Sequence, residues 1–174
     1  QMARVREKDI PEKADAETIM AAMAPVDRAI VFSLRYAETI GIDSDDEQME
    51  FVLTEEEKAA ARAFLNRLKI APPHICLHPF GNRRSRWWGG VAEWRELAGL
   101  VRQQLGAQLL LVGSAPAAEV AALPAELASA VNCLTLRTSA ALLASARAVV
   151  STDSGPLHLA QALAVPTLGL FGPS

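Results

Sequence analysis

Residues 147–163, RAVVSTDSGPLHLAQAL, decide how this chain folds. The first six form a short apolar run with β-branched members, which marks a strand, and the last eight are Ala- and Leu-rich with helical character. Between them Asp153, Ser154 and Gly155 supply a tight turn. Pro156 suits the first turn of a helix, where its missing N–H costs nothing. The stretch therefore reads as a strand passing through a short polar turn straight into a helix.

The same alternation repeats on working outward. HICLHP (74–79), QLLLVG (108–113), NCLTL (132–136) and PTLGLFG (166–172) read as further strands. VAEWRELAGLVRQQLG (91–106), APAAEVAALPAELASA (115–130) and SAALLASA (139–146) read as helices. Strands this continuously apolar are covered on both faces, so the pattern predicts an α/β fold, a Rossmann-like parallel sheet flanked by helices. Right-handed crossovers then bring every strand-to-helix loop to one edge, beyond the carboxyl ends of the strands, where ligands bind in such folds. The loops at that edge read HPFGNRRSRWWGG (78–90), GSAPAAE from Gly113 to Glu119, and TDSGP (152–156).

The amino-terminal part differs in kind. AETIMAAMA (16–24) and VDRAIVFSLRYAETIG (26–41) read as short helices, and GIDSDDEQMEF (41–51) as an acidic linker whose like charges bury poorly. Residues 1–53 are thus expected to be a helical and linker segment ending a separate domain, and residues 54–174 the sheet domain. LTEEEKAAARAFLNRLKI (53–70) opens the latter as a helix, with Thr54 and Glu57 at capping-box spacing.

Composition narrows the function. A charged content of 21% and a net charge of -3 lack the basic excess of a nucleic-acid binder, so no nucleic-acid partner is expected. No run of about 18 apolar residues is present and the start lacks the apolar core of a signal peptide, which favours a cytoplasmic protein. Cys76 and Cys133 sit in apolar runs and read as two buried, reduced thiols. The G-x-G-x-x-G fingerprint and the P-loop are missing, and His74 and His78 on one strand stand about 13 Å apart, too far to share a metal. Neither a cofactor nor a metal is expected.

Two loops carry the candidate chemistry. The N–H groups of Gly155, Leu157 and His158 open a helix and suit an anion such as phosphate, and His158, one turn in, can add a hydrogen bond. Asp153 and Ser154 also read as a plain helix cap, with His158 a satisfied surface histidine. Arg83, Arg84 and Arg86 offer guanidinium forks to phosphate oxygens, and Trp87 and Trp88 an aromatic wall for a base or sugar, although a solvated cationic patch has the same composition. Trp94 belongs to a helix and reads as core. Two anion-friendly loops on one edge point to a phosphate-bearing ligand. A hydrolase triad of Ser154, His158 and Asp153 fails, because G-x-S-x-G is absent and neighbours on one turn rarely meet triad geometry.

STDSGPLHLAQALAVPTLGLFGPS (151–174) is similar to the D-[ST]-G-x-x-H-x-x-x-A-x-x-x-P-x-x-x-x-[FY]-G-P signature of glycosyltransferase family nine, the ADP-heptose:lipopolysaccharide heptosyltransferases. Asp153, Ser154, Gly155, His158, Ala162, Pro166, Phe171, Gly172 and Pro173 meet its fixed positions. ICLHPFGNRRSRWWGGVAEWRELAGLV (75–101) resembles the family's strand, glycine-containing loop, K-x-W and helix, and LLLVGSAPAAE (109–119) its second strand with an acidic nucleotide contact. The resemblance implies the carboxyl-terminal, donor-binding domain of a two-domain GT-B fold. It implies that Ser154, Gly155, Leu157 and His158 bind the donor diphosphate, that Asp153 orients a basic partner, and that Glu119, on the loop opening at Gly113, reaches the ribose or base. Arg86, followed two residues later by Trp88, falls where the family usually has lysine.

The implied reaction is inverting transfer of a sugar from a nucleoside-diphosphate sugar, ADP-heptose by family default, to a lipid A and core-oligosaccharide acceptor, which implies peripheral association with the inner membrane. The base is expected in the acceptor domain, and no residue of 1–53 matches it. The family continues past F-G-P with more sheet and a closing helix, so a truncated carboxyl end is expected. A non-catalytic nucleotide-sugar-binding module and a sugar-nucleotide epimerase are the alternatives on the same scaffold.

Overall fold

A computed structural model describes residues 51–171, apart from 82, 83, 85, 86 and 124. The helices read in 16–24 and 26–41, the linker up to residue 50, Arg83 and Arg86 therefore lie outside the described residues.

Helix α1 (Glu55–Arg67) begins where its sequence dictates. The Glu57 N–H donates to Thr54 Oγ1 at 3.2 Å and the Thr54 N–H to Glu57 Oε2 at 2.8 Å, so both halves of the capping box close. Three glutamates in its first turn and Arg67 in its last complement the helix dipole. Strand β1 (His74–His78) follows, then α2 (Val91–Leu105), β2 (Gln108–Leu111), α3 (Ala117–Ala121), β3 (Ala128–Ser129), α4 (Leu136–Ala144), β4 (Ala148–Thr152), α5 (Gly155–Ala162) and β5 (Thr167–Leu170).

The five strands of the described residues are parallel, in the order β3-β2-β1-β4-β5. The chain winds outward from β1 through β2 to β3, then returns to the other side of β1 for β4 and β5. The winding therefore reverses between β1 and β4, where Leu77 pairs with Val150 and His78 with Ser151. A crevice opens beyond the carboxyl ends of neighbouring strands at such a reversal.

The sheet is buried on both faces, as its unbroken apolar runs require. Ile75, Leu77, Leu109, Leu111 and Val150 pack against Trp94, Leu97 and Val101, which lie on one stripe of α2. Trp94 is core, as read. On the opposite face Cys76, Leu110 and Val149 meet Phe64 and Leu65 of α1, Leu142 and Leu143 of α4, and Ala160 of α5. Burial pushes the Cys76 thiol well up.

Three readings are corrected. NCLTL is not a strand: Asn132 adopts a left-handed backbone (φ 59), and its side-chain amide bonds both the N–H and the C=O of Ala115. That bridge fixes a surface turn, after which the Thr135 hydroxyl accepts from the Thr138 N–H at 3.2 Å and starts α4 at Leu136. The run 115–130 is not one helix: α3 stops after five residues, and the edge strand β3 forms from Ala128 and Ser129. Pro124, lacking an N–H, cannot continue a helix through its middle. Cys133 is exposed, because the turn leaves it no sheet to bury against.

Among the described residues no helix is long and apolar enough to cross a membrane.

Candidate functional site

The crevice is floored by His78, the last residue of β1. Its ring is buried, 6% exposed, and lies between the ends of two neighbouring strands. On one side Nδ1 is 3.0 Å from Ser154 Oγ and 3.5 Å from Ser151 Oγ. On the other side the ring rests on Gly113, just beyond β2, where a Cβ would overlap its atoms. Gly113 has φ +103, so both backbone conformation and space demand glycine there. Burial lowers the His78 pKa to about 4, and the imidazole is neutral at physiological pH.

Ser154 is the residue that precedes α5, with an extended backbone, yet its side chain makes no cap hydrogen bond. Its hydroxyl donates to Thr152 O at 3.0 Å and packs with His78 and Ser151 instead. The helix start is thus left open by the group that normally closes it. Pro156 has no N–H, and the Leu157 N–H donates to Ser154 O at 3.1 Å. Leu157 departs from its reading, since its amide is engaged, and its side chain is wholly buried. Gly155 is the first-turn donor left without a partner among the described residues, and a Cβ built there meets nothing within 4 Å.

Asp153, Ser154, Gly155 and His158 come together at this corner. Asp153 Oδ1 stands 3.8 Å from His158 Nε2, beyond hydrogen-bonding distance, with both side chains more than half exposed. Arg84 and Glu119 meet each other instead: their charged groups are 3.9 Å apart, and the guanidinium lies 4.1 Å from the Trp87 ring centroid. The aromatic wall is also corrected. Trp88 is buried in the core, while Trp87 packs edge-on against Phe80 and donates from Nε1 to Gly81 O.

A cavity of about 740 Å³ adjoins the open helix start, lined by His78, Gly113, Gly155 and His158 and, beyond them, mostly by apolar side chains that include Phe51 and Leu136. Sequence reasoning missed His78, Phe51 and Leu136. A histidine ending a buried strand beside the winding reversal was a usable signal for the first, whereas Phe51 and Leu136 arrive through tertiary packing alone.

The sequence profile of glycosyltransferase family 9 (heptosyltransferase) matches residues 21–174. The chain belongs to this family. The match reaches well upstream of the motif-bearing loops, into the stretch that reads as motif-free. Lipopolysaccharide heptosyltransferase 1 of Pseudomonas aeruginosa is 45% identical over 107 residues, covering 60% of this chain and 30% of that protein. The E. coli heptosyltransferase WaaC, solved with ADP-2-deoxy-2-fluoro heptose, matches with a TM-score of 0.53 and 26% identity, over 80% of this chain and 43% of that one. A family 9 glycosyl transferase from Veillonella parvula shares the fold at a TM-score of 0.64 and 18% identity, over 81% of this chain and 43% of that one. This glycosyltransferase family 9 chain thus spans less than half the length of each of these proteins, and its α/β architecture is the one the family signature implies.

Proposed function

We propose that residues 54–174 are the donor-binding domain of a heptosyltransferase that moves a sugar from an ADP-heptose-type donor to a lipopolysaccharide-core acceptor with inversion. The observation that carries the reading is the uncapped start of α5, opening onto a cavity at the winding reversal. An anion belongs there, because helix N-termini present N–H groups and the positive end of the dipole. The heptosyltransferase solved with an ADP-heptose analogue supports a nucleoside diphosphate as that anion.

As the anomeric C–O bond breaks, negative charge grows on the leaving diphosphate. Donors fixed beforehand at that position stabilise the transition state without reorganising. The Gly155 N–H and the His158 side chain, with Asp153 beside it, take this role. Ser154 keeps the helix start open and leaves the contact to the backbone. The cation set rests on Arg86, while Arg84 and Glu119 form a charge pair flanking the ribose side. The acceptor hydroxyl, and the carboxylate that deprotonates it for attack from the opposite face, belong to the remainder of the protein. A lipid-anchored acceptor places the enzyme in the cytoplasm, peripherally on the inner membrane.

Calorimetry on the full-length protein with ADP, UDP and GDP tests this. ADP should bind best, and His158→Ala should weaken it about tenfold, a loss of ~1.4 kcal/mol. Equal affinity in wild type and variant would remove the site assignment.

A further inference from the structure

One guanidinium fastens the segment that enters α1 to the first turn of α4. Arg137 Nη2 donates to Val52 O at 2.8 Å and to Glu57 Oε2 at 2.9 Å, and Nε donates to Glu57 Oε1. The same group lies 5.0 Å from the centroid of the Phe51 ring. Glu57 is itself immobilised, since Oε2 also accepts from the Thr54 N–H. The Arg137 fork is therefore fixed on one side by a carboxylate already in a capping box, and on the other it grips a carbonyl and an aromatic face. Lysine could not reproduce this planar, multiply bonded geometry.

What this clamp holds in place is a wall of the cavity. Phe51 lines it beside Leu134 and Leu136, and Leu136 remains 70% exposed although it opens α4. An exposed leucine next to an anchored aromatic ring, facing a cavity whose anion-binding corner lies at α5, suits a ligand with a charged part and a flat apolar part. Aromatic rings hold nucleobases by stacking in a way that depends little on which base is present.

We propose that Arg137 is a positioning residue that seats Phe51 as a wall for the base of the bound nucleotide, so that the cavity selects a nucleoside diphosphate over a bare diphosphate. This rests on the nucleotide reading above. The carboxylate of Glu57 and the Val52 carbonyl set the guanidinium; the guanidinium sets the ring; the ring and Leu136 flank the base.

The test compares ADP with inorganic pyrophosphate by calorimetry on the full-length protein, alongside donor kinetics. Phe51→Ala and Arg137→Ala should each weaken ADP roughly tenfold while leaving pyrophosphate unchanged, and should raise the donor KM with kcat retained. The double variant should lose little more than either single one, because both remove the same contact. Phe51→Tyr should restore ADP affinity, and Arg137→Lys should not. Unchanged ADP affinity in Phe51→Ala, or a parallel loss of pyrophosphate, overturns the proposal. If His158→Ala weakens both ligands while Phe51→Ala weakens neither, only this inference falls. If the folded wild type binds neither ligand, the nucleotide reading falls and takes this one with it.

Discussion

Two glycines in the crevice do opposite jobs, and alanine at each separates them. At Gly113 a methyl group would meet the His78 ring and sit on a left-handed backbone, so Gly113→Ala should cost about 2 kcal/mol or more in urea unfolding. At Gly155 the backbone is helical and the space is empty, so Gly155→Ala should leave stability unchanged or slightly raised. Its methyl group would project into the cavity, and ADP affinity should fall about tenfold in calorimetry. His74 poses a third case, for its ring is wholly buried and neither nitrogen has a partner among the described residues. A buried imidazole without hydrogen bonds costs stability, so His74→Leu should raise the unfolding free energy by about 1 kcal/mol or more. Of these three positions the sequence marked the two glycines, each in a ligand-side loop, and gave His74 no role. The burial of His74 and the emptiness beyond Gly155 depend on which elements pack nearby.

At the scale of elements, legibility followed the source of each element's stability. α1 and α2 carry their own instructions, a capping box in one and a Trp94–Leu97–Val101 stripe in the other, and they form as read. β1, β2 and β4 were legible because burial on both faces forces an apolar run whatever lies around it. β3 was not, since two residues paired at a sheet edge leave almost no pattern, and NCLTL imitates a strand until the Asn132 side chain locks it into a turn. The start of α5 was legible in its residues but not in its bonding. Ser154 reads as a cap and instead turns inward to His78. Ser154→Ala should therefore act less as the loss of a cap than as the loss of a partner for a buried ring, costing about 1–2 kcal/mol by urea unfolding. The cost should largely vanish in a His78→Leu background, where no ring nitrogen is left to satisfy.

Across the whole molecule, the parallel order with its reversal between β1 and β4 is what gathers these parts, and it also gives the fold a pH signature. The strand that reaches the crevice carries His74 and His78, both buried and both held below the ordinary histidine value of 6.5, His78 at about 4. Between those two pH values the unfolded chain binds protons that the folded chain refuses, so stability rises with pH and falls as acid is added. Full stability is present above pH 6.5 and is lost progressively toward pH 4, by up to ~3 kcal/mol from His78, with His74 adding in the same direction. The carboxylates of Glu55, Glu57 and Glu126 are held below their ordinary 4.5 by Lys58, Arg137 and local hydrogen bonds respectively, so their share is lost only at more acid pH. Among the described residues the interval from 6.5 down to 4.5 thus isolates the two histidines. Urea unfolding at pH 7.5, 6 and 5 should show the midpoint dropping in wild type, a shallower slope in His74→Leu, and the shallowest in the His74→Leu/His78→Leu pair. A wild-type midpoint that stays level across this interval would mean that both rings take up protons as readily folded as unfolded, and that the crevice floor is wet rather than sealed beneath α5.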